Sequence, residues 1–147
     1  MATAGQFRPR VAVMREANRL VVIGVGGVFG ALSRAGISEL FGTTSIELGD
    51  QGATFPWATL TVNIIGALLI GILAVALVAD RESYLRPFLI TGFLGGFTTF
   101  SALALEAADL IDHNMWPTAV LYLAVTVGAG LVAVQFGIRI TQRVVKP

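Results

Sequence analysis

The chain has 147 residues, of which 55% are hydrophobic and 13% charged, and its formal net charge at pH 7 is +1. Its mean hydropathy of +0.79 is typical of an integral membrane protein and argues against a soluble domain. The charge gives no sign of nucleic-acid binding, and the absence of cysteine excludes a disulfide framework and a thiolate metal site. Because each span needs about 20 residues, the length allows about four transmembrane helices.

Residues 1–18 are polar and predict an N-terminal tail, followed by a first span over about 19–41. Glycines concentrated over 24–30 allow another helix to approach this span closely. Arg34 lies within the span, about two turns from its outer end. It either draws anions into a vestibule or extends its side chain to the membrane interface.

A loop over 42–56 precedes the second span, which is predicted over about 57–79. Thr59 and Asn63 are four residues apart and therefore share one face of this helix. An asparagine amide in hydrocarbon needs hydrogen-bond partners or water. Asn63 is therefore either a pore-lining donor for an anion or one partner of an interhelical hydrogen bond.

The third span, predicted over about 87–112, contains the most informative segment, Gly95-Gly96-Phe97-Thr98-Thr99-Phe100-Ser101. Adjacent glycines followed by threonines form a poor helix interior. Broken backbone at membrane depth is tolerated where it is buried in protein or lines a watery cavity, and the ends of half-helices can hold ions there. The positive edges of phenylalanine rings can also meet an anion. The alternative interpretation is a glycine-rich helix contact whose aromatic side chains fill the core.

Two carboxylates follow this break, and neither belongs to a recognisable metal site. Glu106 lies about two turns beyond the break and Asp109 three residues further, without another ligand at suitable spacing. We predict that Glu106 is a structural polar residue paired within the protein and that Asp109 is interfacial. His113 is predicted to be a solvated loop residue. The sequence contains no catalytic constellation, so an enzyme is not expected.

The fourth span is predicted over about 116–139. Tyr122, Thr126 and Gly130 recur every four residues and share one face. This stripe predicts either a track of hydroxyl groups or a close-packing seam between helices.

All four spans are assigned to one transmembrane domain over 19–143, with a C-terminal tail over 144–147. Nine of the ten Lys and Arg residues lie in the N-terminal tail, in the second loop and in the C-terminal tail, or at the span ends that adjoin these segments. The first and third loops carry none. By the positive-inside rule, this distribution predicts that both termini are cytoplasmic.

Three motifs in this order resemble those of the Fluc-type fluoride channels, the bacterial fluoride exporters. They are Gly26-Gly27-Val28-Phe29-Gly30-Ala31-Leu32-Ser33-Arg34, Thr59-Leu60-Thr61-Val62-Asn63, and Gly92-Phe93-Leu94-Gly95-Gly96-Phe97-Thr98-Thr99-Phe100-Ser101 with Glu106 after it. The resemblance covers about residues 20–140 and all four spans.

The resemblance implies an all-α membrane protein whose third helix is broken near Gly95–Thr98. It implies an antiparallel, dual-topology-type dimer in the bacterial plasma membrane, with two pores that export fluoride passively and relieve its toxicity. A structural sodium ion would lie on the dimer axis, held by the backbone carbonyls of Gly95 and Thr98. The implied pore residues are Asn63, Phe100, Tyr122, Thr126, Thr59 and Ser101, with Arg34 near a vestibule.

Two positions depart from the family pattern. Leu103 replaces a second pore phenylalanine, and Gly130 replaces a hydroxyl residue. An antiparallel homodimer also requires nearly balanced Lys and Arg, whereas this chain is strongly biased. We therefore hypothesise one half of a heterodimer, with one of the two pores degenerate.

Two other functions stay open at this point. A small proton-coupled multidrug transporter has a similar size, but it needs a membrane-embedded carboxylate early in the chain, and the first span offers only Glu39 near its end. A non-conducting partner subunit would instead contribute only structure to an assembly.

Overall fold

The computed structural model describes residues 8–42, 47–48, 53–78 and 83–145. Within these ranges, four helical segments are long and apolar enough to cross a membrane. They extend over Met14–Phe41, Trp57–Ala76, Pro87–Asp112 and Trp116–Val145. The four predicted spans and the all-α membrane fold are therefore confirmed.

The helices differ from the predicted spans mainly at their ends. Helix α1 covers Arg8–Gly42 and therefore begins within the predicted polar tail, and α2 covers Trp57–Ala76. The predicted end of the second span, at residue 79, lies outside the described residues. Hydropathy marks where the hydrocarbon ends, whereas helical hydrogen bonding can continue into water, so the two boundaries need not coincide.

A short strand pair lies in the loop before α2. Strand β1, Glu47–Leu48, pairs antiparallel with β2, Ala53–Thr54, so that Glu47 is opposite Thr54. The sequence predicts only a loop here, because two-residue strands carry no detectable alternation of hydrophobic residues.

The third span is discontinuous, as predicted. It consists of a π-helix over Pro87–Leu94, the single turn α3 over Gly95–Phe97, and α4 over Ser101–Asp112. Thr98 has φ −80° and ψ 158°, an extended conformation that stops the helix. Helix α5, Trp116–Val145, completes the bundle and runs past the predicted end of the fourth span.

The third span packs against α1 through a seam of glycines. A Cβ atom at Gly26 or Gly30 would overlap a backbone carbonyl oxygen across the seam. The contact is reciprocal, because a Cβ atom at Gly92 or Gly96 would overlap the backbone of α1. The close helix approach predicted from the first-span glycines is therefore confirmed. Gly24 is the exception, since the space around it is open.

A second glycine seam joins α2 to α5. A Cβ atom at Gly71 would overlap the carbonyl oxygen of Val134, and one at Gly137 would lie against the carbonyl oxygen of Leu68. Apolar side chains fill the space between the helices in two clusters, one around Tyr122 and one around Phe97. These contacts hold α2, α5 and the broken third span together around the candidate site.

Candidate functional site

The break in the third span redirects one backbone amide to a side chain of α2. The Thr98 amide still donates to the Leu94 carbonyl at 3.0 Å, as it would in a helix. The Thr99 amide instead donates to Asn63 Oδ1 at 2.9 Å. A continuous helix would direct that amide to the Gly95 carbonyl, which is therefore left without its helical partner.

Asn63 binds both backbone groups of the same residue. Its Nδ2 donates to the Thr99 carbonyl at 3.0 Å, while its Oδ1 accepts the Thr99 amide. This is an interhelical hydrogen bond, one of the two roles left open by the sequence. An amide nitrogen carries two N–H groups, and the second has no hydrogen-bond partner among the described residues. Asn63 can therefore brace the break and still donate to an anion.

Arg34 contacts the break from the opposite side. Its Nε donates to the Gly96 carbonyl at 3.2 Å. In a continuous helix, the Phe100 amide would occupy that carbonyl. The guanidinium thus satisfies one carbonyl freed by the break and is tied to it. A vestibule role for Arg34 stays a prediction.

Thr99 also caps the helix that follows the break. Its Oγ1 accepts the Ala102 amide at 3.1 Å and lies 3.2 Å from Ser101 Oγ. The Ala102 amide is the helical partner expected for the Thr98 carbonyl, so this cap leaves that carbonyl free. In the part of the chain that the structure describes, neither the Gly95 nor the Thr98 carbonyl has a hydrogen-bond partner.

Whether a hard cation such as sodium fits the chain can be judged from the two free carbonyls of Gly95 and Thr98. Unwound backbone carbonyls at a broken membrane helix are suitable sodium ligands. Gly95 is exposed, and a Cβ atom there would meet no atom within 4 Å. Oxygen donors, lack of competing hydrogen bonds and open space are all compatible with sodium. Sodium binding at Gly95 and Thr98 stays a prediction.

A groove of about 330 Å³ lies between the break, α2 and α5. Four of the predicted pore residues line it, namely Asn63, Phe100, Leu103 and Thr126. The predicted pore residues Thr59, Tyr122 and Ser101 are outside its lining. The other lining residues are Ala67, Thr98, Thr99, Val127, Gly130, Leu131 and Val134.

The aromatic and aliphatic positions of the groove differ sharply in exposure. The Phe100 side chain is 80% exposed, whereas Leu103 is 5% exposed and packs into the apolar cluster around Tyr122. The Phe100 ring therefore lies largely outside the helix bundle. Leu103 contributes only aliphatic surface, as expected from a leucine at the position of the family's second pore phenylalanine.

Glu106 joins three helices through hydrogen bonds. It accepts Thr59 Oγ1 on Oε1 at 2.6 Å and the Tyr122 hydroxyl on Oε2 at 2.7 Å. This is the intrachain pairing expected for Glu106. Thr126 Oγ1 in turn donates to the Tyr122 carbonyl at 2.7 Å. The hydroxyl hydrogens of Thr59, Tyr122 and Thr126 are thus all used inside the protein.

Asp109 and His113, which follow Glu106 along the chain, lie beside each other. Asp109 Oδ1 lies 3.6 Å from His113 Nδ1, and the aspartate side chain is 63% exposed. Within the described ranges, no group of three or more His, Cys, Asp or Glu side chains could hold a metal ion. The structure therefore places Asp109 and His113 at the surface.

Sequence reasoning missed the importance of Thr99. Its backbone amide and carbonyl both bind the Asn63 side chain, and its hydroxyl binds the start of α4. A signal was present, because a threonine just before a helix resumes is a favoured capping residue. Ala67 was also missed, although it follows Asn63 by four residues and so lies on the same face of α2.

Comparisons with known proteins agree over most of the chain. The family model described as "CrcB-like protein, Camphor Resistance (CrcB)" matches residues 21–138. The chain is 39% identical to "Fluoride-specific ion channel FluC 1" of Mycolicibacterium paratuberculosis over 127 residues, which is 85% of this chain and 91% of that protein. It is 36% identical to "Fluoride-specific ion channel FluC" of Rhizobium meliloti over 87% of this chain and 99% of the relative. It is 37% identical to the FluC protein of Francisella tularensis subsp. mediasiatica, over 86% of this chain and 97% of that relative.

The family-model match over residues 21–138 reaches into all four spans and includes the break described above. The relatives are named as ion channels rather than enzymes. The chain belongs to the CrcB family of multi-pass membrane proteins.

Proposed function

We propose that this chain is a subunit of a fluoride-selective channel that lets fluoride leave the cell passively. The observation that carries the proposal is the groove at the break, in which the Asn63 amide keeps an unused N–H group. The names of the relatives support fluoride as the transported ion.

The chemistry of the groove suits a small anion that binds water strongly. Fluoride leaves water only if other donors replace its hydration shell. The available donors are the second Asn63 N–H, the Thr99 hydroxyl when Ser101 donates to it, and the edge of the Phe100 ring. These groups attract an anion without the full charge of a lysine, so that fluoride can bind and also leave.

We propose that the conducting unit is an antiparallel dimer. The groove is open on one side, and the Phe100 ring is 80% exposed outside the bundle. A second subunit would cover both and complete the pore wall. The two uncommitted carbonyls of Gly95 and Thr98 would hold a structural sodium ion at the dimer axis. When bound, sodium would supply a fixed positive potential that favours an anion nearby.

The charge distribution supports a fixed orientation with both termini in the cytoplasm. Nine of the ten Lys and Arg residues lie on one predicted side, which favours one direction of insertion. An antiparallel partner with opposite orientation would then be a homologous subunit, which gives a heterodimer. Leu103 and Gly130 are the positions at which one pore would be degenerate.

Fluoride efflux from liposomes that contain the purified chain together with a homologous subunit tests the channel function. A fluoride electrode should record fast efflux that persists without a proton gradient and is lost in Asn63→Asp and Phe100→Ala. Persistence without a proton gradient would exclude a proton-coupled transporter. Well-folded protein that never conducts fluoride, with or without a homologous subunit, would contradict the proposal and identify a non-conducting chain.

The subunit composition has its own test. We expect little efflux from the chain alone and full efflux when a homologous subunit is added. Labelling of single cysteines at the N-terminus should reach one membrane face only. Labelling on both faces, together with efflux from the chain alone, would establish a homodimer and overturn the heterodimer.

A further inference from the structure

A second groove lies at the other end of the seam between α1 and the third span. Its volume is about 460 Å³, and it does not share a lining residue with the fluoride groove. Both membrane-spanning segments begin near this end, and the order of glycine contacts along the seam shows that they run in the same direction. The groove therefore lies where two spans meet one membrane surface.

The two helices line this groove with the same pattern. Each contributes an arginine, an apolar residue directly after it, and an isoleucine one helical turn deeper. The residues are Arg19, Leu20 and Ile23 on α1, and Arg86, Pro87 and Ile90 at the start of the third span. Two guanidinium groups thus stand at the membrane surface above apolar walls that descend into the hydrocarbon.

The arginines are poorly neutralised by the protein. Arg19 Nη1 lies 3.7 Å from Glu16 Oε1, and the side chains are 45% and 70% exposed, so this ion pair is weak. Arg86 is exposed and forms neither an ion pair nor a side-chain hydrogen bond with the residues that the structure describes. Glu16 also lines the groove, and two arginines against one glutamate leave a net charge of +1 among the lining residues.

We propose that this groove binds an anionic phospholipid. The phosphodiester would lie between Arg19 and Arg86, because the planar guanidinium group matches phosphate oxygens. An acyl chain would follow Leu20, whose side chain is 69% exposed, toward Ile23 and Ile90. Basic pockets between membrane helices at the predicted cytoplasmic face are suited to such headgroups. The site is separate from the fluoride groove, so its test measures lipid binding rather than efflux.

Native mass spectrometry of the purified full chain can measure this binding directly. Detergent-solubilised protein would be titrated with phosphatidylglycerol and, separately, with phosphatidylcholine of the same acyl chains. We expect phosphatidylglycerol to bind about tenfold more tightly, and the R19Q/R86Q double variant to lose that preference. R19K/R86K should retain part of it, since the charge stays but the planar donor group is lost.

A matched double variant separates a specific site from general charge attraction. R139Q/R143Q removes two exposed arginines near the end of α5, at the same predicted face of the membrane, and should keep the preference. Equal loss in both double variants, or no loss in R19Q/R86Q, would overturn the proposal. If R19Q/R86Q does not fold, the R19Q and R86Q single variants serve the same comparison.

Two further outcomes would also contradict a lipid site. Competition by millimolar inorganic phosphate would indicate a site for free phosphate, whereas a lipid held by its acyl chain should not be displaced.

Because the chain has no cysteine, Leu20→Cys provides a single reactive position. Disulfide formation between two copies through this position would show that a second copy covers the groove. Protection of the introduced thiol from a thiol reagent by phosphatidylglycerol, but not by phosphatidylcholine, would support the proposal.

Discussion

The third span contacts α1 on one side and α2 with α5 on the other, and the two contacts have different chemistry. Toward α1, backbone lies against backbone at Gly26, Gly30, Gly92 and Gly96. Toward α2 and α5, hydrogen bonds from Asn63 and from the hydroxyls bound to Glu106 are added to the apolar packing around Tyr122 and Phe97. The first contact depends on shape, and the second depends on hydrogen-bond pairing as well as on apolar packing.

The difference indicates how each side can fail. An added methyl group in the glycine seam pushes two helices apart, because carbonyl oxygens occupy the space. A lost partner on the polar side leaves a buried donor or acceptor without a hydrogen bond. Arg34 is the exception on the α1 side, where its Nε satisfies the Gly96 carbonyl.

The largest expected effect is that of Gly30→Val in the seam. A Cβ atom there would overlap the Phe93 carbonyl, and we expect a loss of about 3 kcal/mol or more in stability. Gly36→Val, on the same helix but with open space around it, should change stability by less than about 1 kcal/mol. Thermal unfolding in detergent, followed by tryptophan fluorescence, measures both. Equal losses would mean that close packing does not govern this seam.

Asn63→Asp should have the next largest effect, on function rather than on packing. Aspartate keeps the acceptor for the Thr99 amide but places a carboxylate oxygen against the Thr99 carbonyl and a negative charge in the groove. We expect fluoride efflux to fall about a hundredfold, because the anion is repelled in a low-dielectric site. Gln142→Glu makes the same chemical change at an exposed position near the end of α5 and should leave efflux unchanged. Undiminished efflux in Asn63→Asp would exclude Asn63 from the pathway.

Glu106→Gln tests how much the hydrogen bonds from α4 to α2 and α5 contribute to the stability of the protein. Glutamine keeps only one acceptor oxygen, so Thr59 and Tyr122 can no longer each donate to a separate carboxylate oxygen. The expected loss is about 2 kcal/mol, measured by thermal unfolding. Asp109→Asn, three residues further at an exposed position, should cost less than about 0.5 kcal/mol. A Glu106→Gln protein as stable as the parent would show that these bonds contribute little.

The smallest expected effect is a gain, from Gly130→Ser. A Cβ atom at Gly130 would lie 3.9 Å from Ala67 Cβ, which is an ordinary contact, so serine fits. The hydroxyl would add a donor to the groove, and we expect efflux to rise about twofold, with about 0.5 kcal/mol more stability from helix propensity. Gly128→Ser raises helix propensity by the same amount at a position outside the groove, and it should not change efflux. An equal rise in both variants would attribute the effect to helix stability alone.

The sequence by itself determined the four spans, the break in the third and the internal pairing of Glu106. These features follow from local properties: hydropathy over about 20 residues, the poor helix propensity of Gly95–Thr99, and the cost of a carboxylate in hydrocarbon. The positions of the helix ends in water were not determined, because hydropathy does not register them.

Only the tertiary structure decided which groups pair at the site. It brought Asn63 to Thr99, Arg34 to Gly96 and two hydroxyls to Glu106, although these partners are up to 62 residues apart in the chain. Hydrogen-bond partners depend on which helices are neighbours and on their register. The glycine seams fix the register of α1 against the third span and of α2 against α5, since each carbonyl can approach the next helix only where a side chain is absent.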